Sequence, residues 1–395
     1  MPKGFAEKAE SLAPKLSKIR RQIHMYPELG YQEKRTSELV AKTLRQMGLE
    51  VKTGVAKTGV VGLLRGSSPG KTVALRADMD ALPITERNNK PYRSRVDGVM
   101  HACGHDGNTT TVLGAAMLLA KEKRNLHGNV KFFFQPSEEA PPGGAMPMIK
   151  EGALRKPKVD FIIGVHVDPT VPAGKIGVRD GPMMAAADDF SLTVLGNASH
   201  GAKPHLGVDA IVLSAQVIQA LQTIPSRIIN PAHPVVVTIG TIKGGYRQNV
   251  IADRVDMEGT LRTLYAADRK KGAKMISRLT DQITKASGGS YEFDFRDGYP
   301  ILTCDAAITA VVRRASQELF GKRSVVEIDE PSMGGEDFAY FVNEVPGTML
   351  RLGTGNKKKG IVHPWHHPQF DIDEKGLWVG AAVMARAATI CLEEL

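Results

Sequence analysis

Three runs between Lys71 and Glu139 decide the architecture: KTVALRAD (71–78), TTTVLGAAMLLAKEK (109–123) and NVKFFFQPSEE (129–139). The outer two are short apolar runs bounded by polar residues, as buried strands require, and the middle one carries apolar residues at helical spacing. Working outward, VVGLLRG (60–66) and VDFIIGVHV (159–167) are further strand patterns. EKRTSELVAKTLRQMGLEV (33–51) is a helix with Leu39, Val40, Leu44 and Met47 on one side, ended by Gly48. This alternation predicts an α/β domain whose largely parallel or mixed sheet is flanked by helices.

Between 186 and 297 the pattern changes. DDFSLTVLG (188–196), DAIVLSAQVIQALQTI (209–224), PVVVTIGTIKGG (234–245), DRVDMEGTLRTL (253–264), RKKGAKMISRLTDQITKASGG (269–289) and SYEFDFRDGYP (290–300) follow in turn. They read as strand, helix, strand, strand, helix, strand, the ferredoxin-like order. After Ile301 the α/β pattern returns, with helices at AAITAVVRRASQELFG (306–321) and EKGLWVGAAVMARAATICLEEL (374–395). The expectation is a discontinuous domain built from 1–185 and 298–395, with 186–297 inserted, and a ligand cleft between the two.

The chain has 395 residues, 42% hydrophobic and 24% charged, the profile of a globular protein and not of a disordered or fibrous one. Its net charge of +10 comes from Lys and Arg spread along the sequence with no nucleic-acid-binding signature, so no nucleic-acid partner is expected. The longest apolar runs fall far short of a bilayer span and the N-terminal stretch has no apolar signal core, so a cytoplasmic protein with no membrane partner is expected. Cys103, Cys304 and Cys391 are too few and too scattered for a disulfide framework.

Chemistry concentrates where acids and imidazoles end apolar runs: Asp78 and Asp80, Glu138 and Glu139, and His166. In open α/β sheets the carboxyl ends of strands line the ligand crevice. MHACGHDG (100–107) adds two histidines and a thiol. An ordinary polar loop and a thiol nucleophile with its base are both open readings of that run. A metal centre is the one that also accounts for Glu138, Glu139 and His166, and thiolate, imidazole and carboxylate donors together suit zinc. Asp78 and Asp80 are open between supporting a ligand and capping the turn before Pro83.

These residues carry a resemblance. ALRADMDALPI, GVMHACGHDG, FFFQPSEEAPPGGAMPMIKEGAL, GVHV, SHGAKPH, QNVIAD, EGTLRTL, MGGEDFAYF and HHPQFDID occur in that order, preceded by RRQIHMYPELGYQEKRTS. The chain resembles the metal-dependent amidohydrolases that include hippurate hydrolases, indole-3-acetyl-amino-acid hydrolases, N-acyl-amino-acid amidohydrolases and some archaeal carboxypeptidases. The resemblance covers nearly the whole chain. It implies a metallopeptidase domain with an inserted lid domain that mediates formation of a homodimer or higher homo-oligomer. It further implies two divalent metal ions, zinc first, with manganese, cobalt or nickel as alternatives, held by Cys103, His105, Glu139, His166 and His366, with Cys103 bridging. His366 is preferred over His363 and His367 because the family's spacing of ligand His to Phe falls on His366 and Phe370.

By the same resemblance Glu138 is the general base, His200 an oxyanion donor from the lid, and Asn249 and Arg262 hold a substrate carboxylate, a task that suits the forked donors of Arg. The substrate class is then an N-acyl amino acid, with a short or N-blocked peptide as the alternative. Asn108 stands where relatives usually have His, which puts the tuning of the site in question and leaves the five ligands intact. Two rival classes remain: a non-catalytic protein retaining the fold, and a thiol hydrolase using Cys103, which would resist chelators.

Overall fold

A computed structural model of the chain describes residues 2–395. In chain order the helices used below are α1 (Pro2–Met25), α2 (Lys34–Gln46), α3 (His105–Lys121), α4 (Ala210–Leu221), α5 (Ala266–Ala286), α6 (Ala306–Phe320) and α7 (Lys375–Glu394). The strands are β1 (Glu50–Val55), β2 (Gly59–Arg65), β3 (Ser68–Asp78), β4 (His127–Gln135), β5 (Phe161–Pro172), β6 (Ile176–Val178), β7 (Ala186–Leu195), β8 (Val235–Gly244), β9 (Arg254–Thr263), β10 (Ser290–Tyr299), β11 (Val325–Glu327) and β12 (Gly347–Gly355). Two compact units result: one of 1–181, 303–330 and 337–395, the other of 182–302 and 331–336.

The first unit is built on a mixed sheet of order β1-β2-β4-β3-β5-β12-β6-β11 among the described residues. Its centre is parallel, with β4, β3, β5 and β12 running together, while β1 and β2 close one side antiparallel. Central strands must be apolar on both faces, which is why FFF (132–134) and FIIGV (161–165) read as continuous runs. Phe132, Phe133, Phe134, Ile162, Ile163 and Val165 are all fully buried. β12 is a central strand that the sequence patterns did not single out, because Arg351 interrupts its apolar run.

Helices α1, α3 and α7 pack on one another above this sheet. α3 is buried from His105 to Leu119 and is apolar all round from Val112 to Leu119, its buried polar residues lying in the first two turns. α7 is long and apolar enough by composition to cross a membrane, yet 78% of its apolar window is buried in this core. The three helices approach at Gly114, where an added Cβ would lie 2.8 Å from Ala381 Cβ and 3.2 Å from the Leu16 methyls.

The second unit has an antiparallel sheet of order β8-β9-β7-β10 with α4 and α5 packed against it. Its element order, β7-α4-β8-β9-α5-β10, is the ferredoxin-like order read from the sequence. α4 starts at an Asp209 cap whose carboxylate accepts the Ile211 and Val212 amides. Phe190, Leu192, Val194, Val217, Leu261 and Ile276 form its own core.

The close approach at Gly114 gives a stability test. Gly114→Val overpacks the α1–α3–α7 junction and is expected to lower unfolding free energy by about 1–3 kcal/mol, read from denaturant melts of the two proteins.

Candidate metal centre

Cys103 and His105 flank Gly104, which has a φ of +91°. A Cβ there would sit 2.3 Å from a Val167 methyl and 3.2 Å from the Phe370 ring, so glycine alone lets the chain pass this close to β5 and still turn. α3 begins at His105, earlier than the run from Thr109 suggested, so this histidine is already helical. β4 ends at Gln135, leaving Glu138 and Glu139 in the loop beyond it, and His166 stands on β5. His366, at a φ of +63°, is tied to the Cys103 loop by donating its amide to Ala102 O at 2.9 Å.

These elements bring the donors together. Cys103, His105 and His166 form one triad, and Cys103, Glu139 and His366 another, with the donor atoms of each within 4.8 Å of one another. Glu138 joins His105 and Glu139 in a third such group. Cys103 Sγ lies 3.5 Å from His166 Nε2, and Glu139 Oε1 lies 3.3 Å from His366 Nε2 and 3.8 Å from His105 Nε2.

The orientation of each imidazole follows from its other nitrogen. His105 Nδ1 meets Asp80 O at 2.9 Å and His166 Nδ1 meets Val167 O at 2.8 Å. A carbonyl oxygen only accepts, so both Nδ1 atoms donate, and each Nε2 is the nitrogen turned to the cluster, where a cation would displace any proton it carries. His105 Nε2 and Glu139 Oε1 are buried with no hydrogen-bond partner among the described residues. Unsatisfied buried polar atoms are costly, and an imidazole nitrogen and a carboxylate oxygen aimed into one space fit a cation.

The charges point the same way. Burial, together with Glu139 and Glu138, pushes the Cys103 thiol well above its ordinary range, and burial with Arg351 nearby pulls His166 down to about 3. Burial also works against a charge on His105, but Asp78, Asp80 and Glu139 outweigh it and raise that group to about 10. Carboxylates are thus crowded where few positive charges offset them, which is the environment a divalent cation balances. The residues present therefore fit two metal ions, with Cys103 common to both triads.

Asp80 supports this cluster. Its Oδ1 lies 3.2 Å from His105 Nδ1 and its Oδ2 accepts the Glu139 amide at 2.9 Å. Asp78 accepts from Arg76 at 2.8 Å and from Asn108 Nδ2 at 2.7 Å, and Asn108 Oδ1 accepts the Val167 amide at 2.8 Å. Asn108 thus sits in the first turn of α3 as a buried link between β3 and β5, using both ends of its amide. His101 takes no part in the donor groups; burial pulls it down to about 4 and its ring lies against His24. His363 and His367 stack on each other at 4.2 Å, outside those groups.

Three of the expected residues belong to the second unit. His200, on a two-residue strand, pairs with Val250, which places Asn249 beside it, and Gly201 donates its amide to Asn249 O at 2.8 Å. Arg262 lies on β9, opposite Ala187 of β7 and Val236 of β8.

Sequence reasoning missed a buried hub under the centre. Arg20 is fully buried and bonds Asp106 at 2.7 Å, which also meets His24 Nδ1 at 2.8 Å, and Arg20 lies 3.2 Å from Asp371. It fastens the first turn of α3 to α1 and to the chain after His366. The available signal was an Arg at helical spacing among the apolar positions of α1. Trp365 was missed too; its Nε1 donates to Val167 O at 3.0 Å and its ring meets His166 edge-on.

Comparison with known proteins places residues 74–389 in a match to the sequence profile of Peptidase family M20/M25/M40. The chain is 43% identical over 373 residues to thermostable carboxypeptidase 1 of Saccharolobus solfataricus, covering 94% of this chain and 93% of the other. It is 41% identical over 367 residues to an N-acetyl-L-cysteine deacetylase of Bacillus subtilis, covering 93% and 86%. Among solved structures it superposes on a dinuclear metal binding peptidase of Bacillus subtilis with a TM-score of 0.86 and 35% identity, covering 98% and 100%.

Because Asp80 holds both the His105 ring and the Glu139 amide, Asp80→Ala is expected to weaken metal retention by about 10–100-fold, measured by competition with a chelator of known affinity.

Proposed function

The chain belongs to Peptidase family M20/M25/M40, and from that premise we propose that it cleaves the amide of N-acyl amino acids to a carboxylic acid and a free amino acid. The observation that carries the reading is the place of Cys103 in two donor triads with Glu138 alongside. We assign the ligands as Cys103, His105, Glu139, His166 and His366, with zinc first and manganese, cobalt or nickel as alternatives. Two divalent ions bound there would polarise the scissile carbonyl and acidify the attacking water.

The protein's own residues do the rest. Glu138 takes the proton of the attacking water and passes it to the departing amine, so that one carboxyl serves as base and then as acid. His200 Nδ1 accepts the Ala202 amide at 3.0 Å, so the neutral ring carries its proton on Nε2. That proton suits donation to the oxyanion of the tetrahedral intermediate. Asn249 and Arg262 hold the free carboxylate of the substrate, Arg262 through two parallel donors. A carboxypeptidase acting on short peptides is the second reading, favoured by the similarity to the archaeal carboxypeptidase.

The second unit presents the surface for self-association. β8 is an edge strand with Val236 and Ile242 exposed, and Ile211 and Val212 of α4 are exposed as well. An apolar, unpaired edge is a template for a second copy, and we propose a homodimer through it. All three cysteines are unbridged and buried, which suits the reducing cytoplasm.

A panel of N-acyl amino acids and dipeptides, assayed before and after chelation and metal re-addition, separates the two substrate readings. Glu138→Ala is expected to lower kcat by about 100-fold or more while two metal ions per chain are retained. Near-normal turnover in that variant would exclude the mechanism.

A further inference from the structure

The turn between α1 and α2 carries the sequence YPELGYQE (26–33), and nothing in the proposed reaction uses it. Yet Glu33 is fully buried, and its two carboxylate oxygens are both engaged. Oε1 accepts the Ser137 amide at 2.8 Å and Oε2 accepts the Thr58 hydroxyl at 2.6 Å. Burial raises this group to about 7 despite those two donors, so the fold keeps it in an environment costly to a carboxylate.

Ser137 immediately precedes Glu138 and holds a φ of +53°, a left-handed backbone that residues other than glycine adopt only when their surroundings impose it. The same turn presses on it from another side. A Cβ added at Gly30 would lie 2.6 Å from Ser137 Oγ and 3.2 Å from Ser137 Cα. Further contacts reach the far end of the loop and the strand beside it. Tyr31 donates its hydroxyl to Gly143 O at 2.7 Å, and Glu28 O accepts the Ala81 amide at 2.8 Å, one residue beyond Asp80.

We propose that the Glu28–Glu33 turn is a brace for the loop that carries Glu138 and Glu139, and that Glu33 is a positioning residue which aims Glu138 by holding the Ser137 amide. The proposal rests on the reading of Glu138 as general base. Glu33 acts at one remove: with its carboxylate gone, Ser137 relaxes toward an ordinary backbone and Glu138 turns away from its working position. Glu139 keeps a separate anchor, its amide on Asp80 Oδ2, so the misaiming falls on Glu138 and costs rate without costing binding.

The test uses the metal-loaded full chain. Glu33→Ala is expected to lower kcat by about tenfold or more with KM within about twofold and two metals still bound, since a misaimed base affects the reaction step alone. Glu33→Gln is expected to recover kcat to within about threefold, because its amide oxygen still accepts Ser137 N–H and Thr58 can reverse its role toward the amide NH2. Gly30→Ala, which leaves Glu33 intact but crowds Ser137, is expected to give the same loss confined to kcat, and it covers the case in which Glu33→Ala fails to fold.

Hydrogen exchange of the Ser137 amide supplies a readout without substrate or metal: protection is expected in the wild type and in Glu33→Gln, and faster exchange in Glu33→Ala. Unchanged exchange in Glu33→Ala, a loss carried by KM or metal content, no rescue by Gln, or wild-type kcat in Gly30→Ala would each overturn the proposal. If the wild-type enzyme turned over no substrate in the panel, the functional reading would fail, while the exchange data would still decide whether Glu33 holds the loop.

Discussion

One carboxylate joins the two halves of the centre. Asp80 reaches the His105 ring with one oxygen and the Glu139 amide with the other, so a helix start and a strand-end loop share a single anchor. The anchor works because Asp80 is buried and cannot exchange these partners for water. Everything placed on it inherits its position: His105 opens α3, and Glu139 follows Glu138 along the β4 exit. The remaining donors arrive from elements that pack against α3, through Gly104 at Val167 and through the His366 amide at Ala102.

Part of the cluster stood out in the sequence because its acids close apolar runs at or beyond strand ends and His166 interrupts one, while Cys103, His105 and His366 come from loops and a helix start. Glu138 and Glu139 after FFFQ, His166 inside FIIGVHV, and Asp78 and Asp80 after VALRA stand out against what a buried strand tolerates. The strand and helix order of the second unit was equally clear, since its strands alternate and its helices are amphipathic. What failed was the reading of elements whose pattern is broken by a buried charge. β12 escaped notice because Arg351 divides it, although the strand lies inside the sheet between β5 and β6.

The same reason hid the buried ionic partners. Arg76 lies in β3 between alanines and leucine, fully buried, bonded to Asp78 and Gln135 and 3.1 Å from Asp337. Sequence periodicity treats such a residue as an exposed face, whereas its partners come from positions far away in the chain. Arg20 with Asp106 is a second instance. No local pattern encodes a pairing that only tertiary contact creates, and these pairs are worth keeping because removing one partner strands a charge in the interior. Asn108 is different: its identity was noted, but its two-sided bond between β3 and β5 could not be read without coordinates.

The order of elements along the chain also has a meaning for biosynthesis. β12 fits between β5 and β6, and α7 packs on α1 and α3, so the interior of the first unit cannot close before residues 347–394 have left the ribosome. The ferredoxin-like unit is nearly continuous and can fold while that synthesis continues. Until those residues emerge, the nascent chain carries an incomplete sheet, with one edge of β5 unpaired and the seats of α7 uncovered. Long-range pairing of this kind is slow and exposes apolar surface. Until β12 and α7 dock, that open edge is the part of the nascent chain most exposed to mispairing.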